Sequence, residues 1–216
     1  VTVLHLGDSV LTPLGLALKW LFHLPTVTMA HGLDVVWSNP LYQDVVPWCL
    51  RRMDAIICNS AQTKKECVAR GVAPERCTVI PVGIEKEEPL PQNESRAFIG
   101  ELIGEDLAGD RVLLTVGRLV RRKGVAHFIT TALPDIVARY PNVRYLVVGK
   151  GPERKIIERA VCESGLEGHV FLLGQVDDAT LRRAYASADI FVMPNIPVEG
   201  DMEGFGIVAL EACAAG

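Results

Sequence analysis

The strongest constraint in this 216-residue chain is an alternation. Short apolar runs rich in β-branched residues are separated from one another by longer stretches of mixed polarity. VTVLHLG (1–7), PTVTMAHG (25–32), DAIICNS (54–60) and CTVIPVGIE (77–85) are the first four runs. RVLLTVG (111–117), NVRYLVVG (142–149), HVFLLG (169–174) and DIFVMP (189–194) are the next four. Continuous apolar runs, as opposed to alternating ones, suit strands buried on both faces, which is the state of a parallel sheet covered by helices. The stretches between them read as helices: one from Pro13, then Pro40 to Arg52, and AQTKKECVARG behind a capping Ser60. Further on come Ser95 to Leu107, Val125 to Tyr140 interrupted at Pro134, and Pro152 to Ser164. Asp177 to Ser187, capped by Asp177 or Asp178, and IVALEACAA ending at Gly216 complete the series. The alternation predicts an α/β fold of the doubly wound kind.

The rhythm breaks once. EKEEPLPQN (85–93) is charged, holds two prolines and has no period, so it reads as a linker. We expect one domain over 1–86, a linker over 87–94 and a second domain over 95–216, two Rossmann-like parallel-sheet halves facing a cleft.

Hydrophobic residues make up 49% of the chain and the formal net charge is −4, so a core is available and no overall attraction to nucleic acid is expected. The six cysteines form no C-x2-C pair, which suits reduced thiols and a cytoplasmic protein. The spacing of Cys49, Cys58 and Cys67 is read as chance and not as a metal site. The most apolar stretch, Val10 to Leu24, is broken by Pro13, Lys19 and His23 and is too short to span a bilayer. It reads as a helix packed largely inside. The alternative is that Lys19, Trp20 and Phe22 touch the inner face of a membrane.

Polar residues collect where strands end. Ligands of open α/β sheets bind beyond the carboxyl ends of the strands, so these places are the candidate site. VGRLVRRKG brings Gly117, Arg118 and Lys123 to one turn, where a fixed cation pair would stabilise charge on a departing diphosphate. The plain reading of the same segment is a basic surface turn, and Arg121 and Arg122 are read that way. VVGKGPER ends a strand at Gly149 and opens a helix after Gly151 and Pro152. LLGQV places Gly174, Gln175 and Val176 after another strand. MAHG ends a strand at His31, whose plain reading is a local backbone cap; Asp34 nearby is a candidate to orient a sugar or an acceptor. Finally, DMEGFGIVALEACAAG carries Glu203 before Gly204, Phe205 and Gly206, and Glu211 inside the following helix, with seven residues between the carboxylates. The glycine turn and helix start favour an anion, and the glutamates can accept bonds from sugar or ribose hydroxyls. A solvated acidic loop is the plain alternative.

Taken in order, these segments resemble the retaining GT-B glycosyltransferases of family four, with their E-x7-E segment. The resemblance covers nearly the whole chain. It implies a hexosyltransferase that moves a sugar from a nucleotide diphosphate sugar (UDP-, GDP- or ADP-linked) to a hydroxyl of a carbohydrate, lipid or small-molecule acceptor, with retention. It implies catalytic roles for His31, Arg118, Lys123 and Glu203. Donor binding falls to Gly117, Gly149, Gly151, Gln175, Val176, Gly204, Phe205, Gly206 and Glu211. No cofactor and no metal are expected, and no D-x-D segment is evident. VGIE (82–85) departs mildly from the family's N-G-V-D. Two larger departures are a glycine-rich phosphate loop that does not precede Val1 and a strand that does not follow Gly216. They lead us to expect a central piece with both halves incomplete, inclined to self-association. A non-catalytic nucleotide-binding fragment, or a half-enzyme needing a partner, is the alternative.

Overall fold

The computed structural model describes residues 2–85 and 88–216; Val1, at the start of the first expected strand, and Lys86 and Glu87, in and beside the expected linker, lie outside the described residues. Two compact units divide the chain. One comprises 1–83 with Pro197–Gly206, the other Ile84–Ile196 with Ile207–Gly216.

The first unit holds a four-stranded parallel sheet in the order β1 (Leu4–Leu6), β2 (Thr26–Ala30), β3 (Ala55–Cys58), β4 (Cys77–Val79). Its register aligns Leu4 with Thr26, Val27 with Ala55 and Ile56 with Cys77. The helices are α1 (Thr12–Phe22), the short α2 (Leu33–Val36), α3 (Pro40–Leu50) and α4 (Ala61–Ala69). Local chemistry explains their starts. Ser60 Oγ accepts the Thr63 N–H at 3.1 Å at the head of α4, and Asn39 Oδ1 accepts the Tyr42 N–H at 3.1 Å before Pro40 at the first turn of α3. Ala30, Leu50, Met53, Ile56, Cys58 and Cys67 form a core from which solvent is fully excluded. Three of the thiols sit together there, and burial pushes that of Cys77 up to about 11.

The helix from Pro13 is not packed largely inside. Only Thr12, Gly15 and Leu16 of α1 are buried, whereas Trp20 is 61% and Phe22 59% exposed. α1 packs on β1, β2, α3 and the short turn Ser9–Leu11 that precedes it. Trp20 stands edge-on to Trp48, which carries the Arg52 guanidinium over its face at 3.7 Å. No described helix is long and apolar enough to cross a membrane.

The second unit holds another four-stranded parallel sheet, ordered β7 (Val170–Gly174), β6 (Val143–Val148), β5 (Arg111–Val116), β8 (Ile190–Phe191). Its helices are α5 (Gln92–Ile103), α6 (Val125–Thr131), α7 (Leu133–Arg139), α8 (Arg154–Glu163), α9 (Asp178–Ser187) and α10 (Ile207–Ala215). Successive residues of β5 and β6 feed two different cores. Leu113, Tyr145 and Val147 join Ile129, Leu133 and Ile157 on one face; Val112, Leu114, Leu146 and Val148 join Ile99 and Ala184 on the other. Both faces are covered, so these strands are mostly apolar, with Arg111, Thr115 and Arg144 as the polar exceptions among their residues.

The eighth strand is shorter than expected. It ends at Phe191, although DIFVMP stays apolar to Pro194. The Val192 N–H still reaches Leu114 O at 2.8 Å, but the Val192 carbonyl is taken at 2.7 Å by the Thr115 hydroxyl. Pro194 then has no N–H with which to continue.

Candidate functional site

The carboxyl ends of the second sheet are built backbone on backbone. The Gly117 N–H donates to Val148 O at 3.0 Å and the Gly149 N–H to Gly174 O at 2.7 Å, so the glycines after β5, β6 and β7 are tied in one row. Gly149 lies at φ 138°, and a methyl there would stand 1.9 Å from the Gly117 carbonyl oxygen. Only glycine fits such an approach. Gly151 is crowded in the same way by Leu119, whose N–H donates to Lys150 O and whose carbonyl accepts from Glu153 N–H, each at 3.0 Å.

Lys123 closes the one-turn helix Arg121–Lys123 and is 8% exposed. Its Cε lies 3.5 Å from where a Gly117 side chain would begin, so the lysine stem lies beside Gly117, the first glycine of the row. Arg118 stands on the same turn and is exposed. The turn is braced from the far side. Ile196 N–H donates to Arg122 O at 2.9 Å, and Gly124 packs against the Pro194 carbonyl. Behind it, Tyr145 and Thr115 share a 2.7 Å hydroxyl bond; because Thr115 gives its proton to Val192 O, Tyr145 is the donor. This buried chain sets the path of the segment that braces the basic turn.

Gln175 and Val176 follow β7 at one end of an open groove of about 750 Å³, which Arg154, Asp177 and Thr180 also line. Asp177 caps α9 by accepting the Thr180 N–H at 2.8 Å; the Thr180 side chain first, and this amide bond second, hold its carboxyl below the usual range. Glu211, on α10, accepts the Tyr185 hydroxyl at Oε2, 2.7 Å away. Burial, then the bond and charge of Glu211, push the Tyr185 phenol upward.

In the first unit, His31 ends β2 inside a frame of side chains. Its N–H donates to Asp34 Oδ1 at 2.8 Å, and the Ser9 N–H donates to Asp34 Oδ2 at 3.2 Å. Asp34 thereby joins two strand ends, while Tyr42 donates to the Asp34 carbonyl. Asn59, 4% exposed, donates from Nδ2 to the His31 carbonyl at 2.9 Å, and is itself held at Oδ1 by Thr63 at 2.7 Å. His31 Nε2 lies 2.9 Å from Gly7 O. A carbonyl only accepts, so Nε2 carries a proton and, in the neutral ring, Nδ1 is the acceptor. Gly204 touches this frame: a methyl there would stand 2.0 Å from the His31 carbonyl oxygen. Glu203, Phe205 and Gly206 belong to the same segment, and the two glutamates of the E-x7-E spacing therefore fall in different units, Glu203 in the first and Glu211 in the second.

Thus His31 and Gly204 come together in one unit, and Gly117, Lys123, Gly149 and Gly151 in the other. Asn59, Thr115, Tyr145 and Tyr185 were not singled out from sequence. Each acts through a partner at least 23 positions away in the chain; for Asn59, Thr115 and Tyr145 the local signal is a polar residue at or in an otherwise apolar run, and Tyr185 has none in its polar helix.

Comparison with known proteins places this arrangement. The profile of the glycosyl transferases group 1 matches residues 105–216, and that of glycosyltransferase family 4 matches residues 1–88. Among relatives, the phosphatidyl-myo-inositol mannosyltransferase of Mycolicibacterium smegmatis is 46% identical over 107 residues, 49% of this chain and 26% of that protein. The GDP-mannose-dependent alpha-(1-6)-phosphatidylinositol monomannoside mannosyltransferase of the same organism is 31% identical over 198 residues, 88% of this chain and 50% of that protein. The chain thus spans half or less of the length of these two relatives. Sucrose-phosphate synthase from Thermosynechococcus elongatus superposes with a TM-score of 0.76 at 27% identity, over 100% of this chain and 54% of that one. Anabaena HepE in complex with UDP superposes with a TM-score of 0.77 at 21% identity, over 99% and 57%, a likeness of fold. With two four-stranded parallel sheets, the second wound on both faces and the first in the unreversed order β1-β2-β3-β4, and more than half its length matched, the chain belongs to the group 1 glycosyl transferases, family four of the GT-B fold.

Proposed function

We propose that this protein is the donor- and acceptor-facing part of a retaining hexosyltransferase. It would move a sugar from a nucleoside diphosphate to an acceptor hydroxyl. The observation that carries the reading is the glycine row at the ends of β5, β6 and β7, with Lys123 lying beside its first member, Gly117. Glycines let a diphosphate approach the backbone, and a cation held beside them favours the charge that builds as the diphosphate departs. Arg118 is the second cation. Glu211 takes ribose hydroxyls, and Gln175 and Val176 flank the base. Gly149 and Gly151 lie beneath the nucleotide.

His31 and Glu203 face the transferred sugar in this reading, with Gly204, Phe205 and Gly206 forming the turn beside it. Acceptor attack follows the leaving diphosphate on the same face of the sugar, so no covalent sugar–enzyme bond forms. Residues 1–86 serve the acceptor and 95–216 the donor, with 87–94 between them, except that Pro197–Gly206 pack with the first unit. The mannosyl relatives favour GDP-mannose as donor and a phosphoinositide-type lipid as acceptor. With such an acceptor, the exposed Trp20 and Phe22 of α1 meet the membrane surface.

Calorimetry with GDP and with UDP tests the diphosphate site. Arg118→Ala and Lys123→Ala should each weaken binding by roughly 1.5–3 kcal/mol, the worth of a charged hydrogen bond. Wild-type affinity in both variants would return the segment to a plain basic turn.

A further inference from the structure

Tyr185 is 9% exposed, and its ring lies against Phe191 at a centroid distance of 5.9 Å, in the core between the sheet and α9. A ring so placed has one orientation, and its hydroxyl has one proton. That proton goes to Glu211 Oε2 at 2.7 Å; the Val208 carbonyl, also near, is at 3.4 Å. Glu211 itself is only half-buried and has three rotatable bonds. Left alone on the face of α10 it would sample several rotamers, and ordering it would oppose ligand binding.

We propose that Tyr185 is a positioning residue that holds the Glu211 carboxylate in the rotamer that accepts the ribose diol of the donor nucleotide. The inference rests on the reading of Glu211 as the ribose-binding group. A phenol suits the task. It donates one bond and leaves the carboxylate's other lone-pair sites to take two hydroxyls. It also leaves the negative charge intact, which a lysine or arginine in its place would neutralise. The hydroxyl bond to a carboxylate is charge-assisted and directional, so it selects one rotamer from many.

The test pairs variants with ligands. Binding of GDP and UDP, and of their 2′,3′-dideoxy forms, is measured by calorimetry for the wild type, Tyr185→Phe and Glu211→Gln. Tyr185→Phe should weaken the ribose forms about 5–20-fold, the ordering cost of one glutamate side chain, and leave the dideoxy forms unchanged. Unchanged dideoxy binding also shows that the variant is folded. Equal loss for ribose and dideoxy forms makes the hydroxyl merely structural and overturns the proposal. If Glu211→Gln weakens the ribose forms while Tyr185→Phe binds as wild type, the ribose role of Glu211 stands and the positioning role falls. If Glu211→Gln binds as wild type, or the wild type binds neither nucleotide, both fall together.

Discussion

The carboxyl ends of the two sheets are built from different materials. At the end of β2, side chains make the frame: Asp34 joins His31 to Ser9, and Asn59, itself held by Thr63, donates to the His31 carbonyl. At the ends of β5, β6 and β7, backbone meets backbone, with glycines at the points of contact. A frame of side chains can lose a member and relax, because neighbouring groups and water take over part of its bonding. A glycine row has nothing to give way except the chain itself. The first construction sets its fine geometry by polar groups, the second by how closely one strand end can approach the next.

That contrast predicts an order of effects. Gly149→Ala should be the most damaging, costing roughly 2–5 kcal/mol from the clash with Gly117 and from the left-handed φ together. Gly7→Ala, where nothing lies within 4 Å, should stay within about 0.5 kcal/mol. Urea midpoints for the two variants make the comparison; matching midpoints would dissolve the distinction between the ends. Asp34→Ala should come next, at about 1–3 kcal/mol, since it strands the His31 and Ser9 amides. Hydrogen exchange should quicken at those two amides and stay slow at Gly149; uniform quickening would mean that Asp34 supports the unit as a whole and not this frame.

The smallest effect is a pH dependence in the first unit. Burial raises the Asp54 pKa, but bonds from Lys19 and Thr26 more than offset it, so the net shift is downward. A carboxylate depressed in the folded state stabilises above its unfolded value near 3.9, and that contribution fades as pH falls through the lower, folded value. Asp54 is 47% exposed, so solvent screening keeps the contribution below about 1 kcal/mol. Asp54→Asn should be less stable than wild type near neutral pH and approach it below about pH 4. Parallel stability curves across that range would show the shift to be without consequence.

The order of strands and helices was legible because both signals are local. Periods of apolar residues marked the elements, and Ser60 and Asp177 marked two of the helix starts. The Pro134 interruption appears as the break between α6 and α7 at Ala132. Boundaries were less legible where tertiary bonds decide them. The early end of β8 depends on the Thr115 hydroxyl, far away in sequence, and α5 begins at Gln92 and ends at Ile103, not at Ser95 and Leu107. The short α2 carries no periodic signal over its few residues. The exposure of α1 also escaped reading, since apolarity tells what can be buried and not what is available to bury it. At the candidate site, the glycines and cations could be named from their place at strand ends. The residues that hold them could not, because a buried Tyr or Thr looks like any core residue until its partner is known.

The assignment of Pro197–Gly206 to the first unit has a topological consequence. The polypeptide passes from one unit to the other three times: after Gly83, after Ile196 and after Gly206. The units are interleaved in sequence, not laid end to end. A single scission at the proline-rich stretch near residue 90 would therefore not yield two self-sufficient pieces. The N-terminal piece would lack the strip that carries Gly204 against the His31 carbonyl, and the C-terminal piece would carry that strip as an orphaned loop. Dissection of this protein by recombinant halves should accordingly leave the His31 frame within the N-terminal piece and seat Gly204 against it only when both pieces are present together.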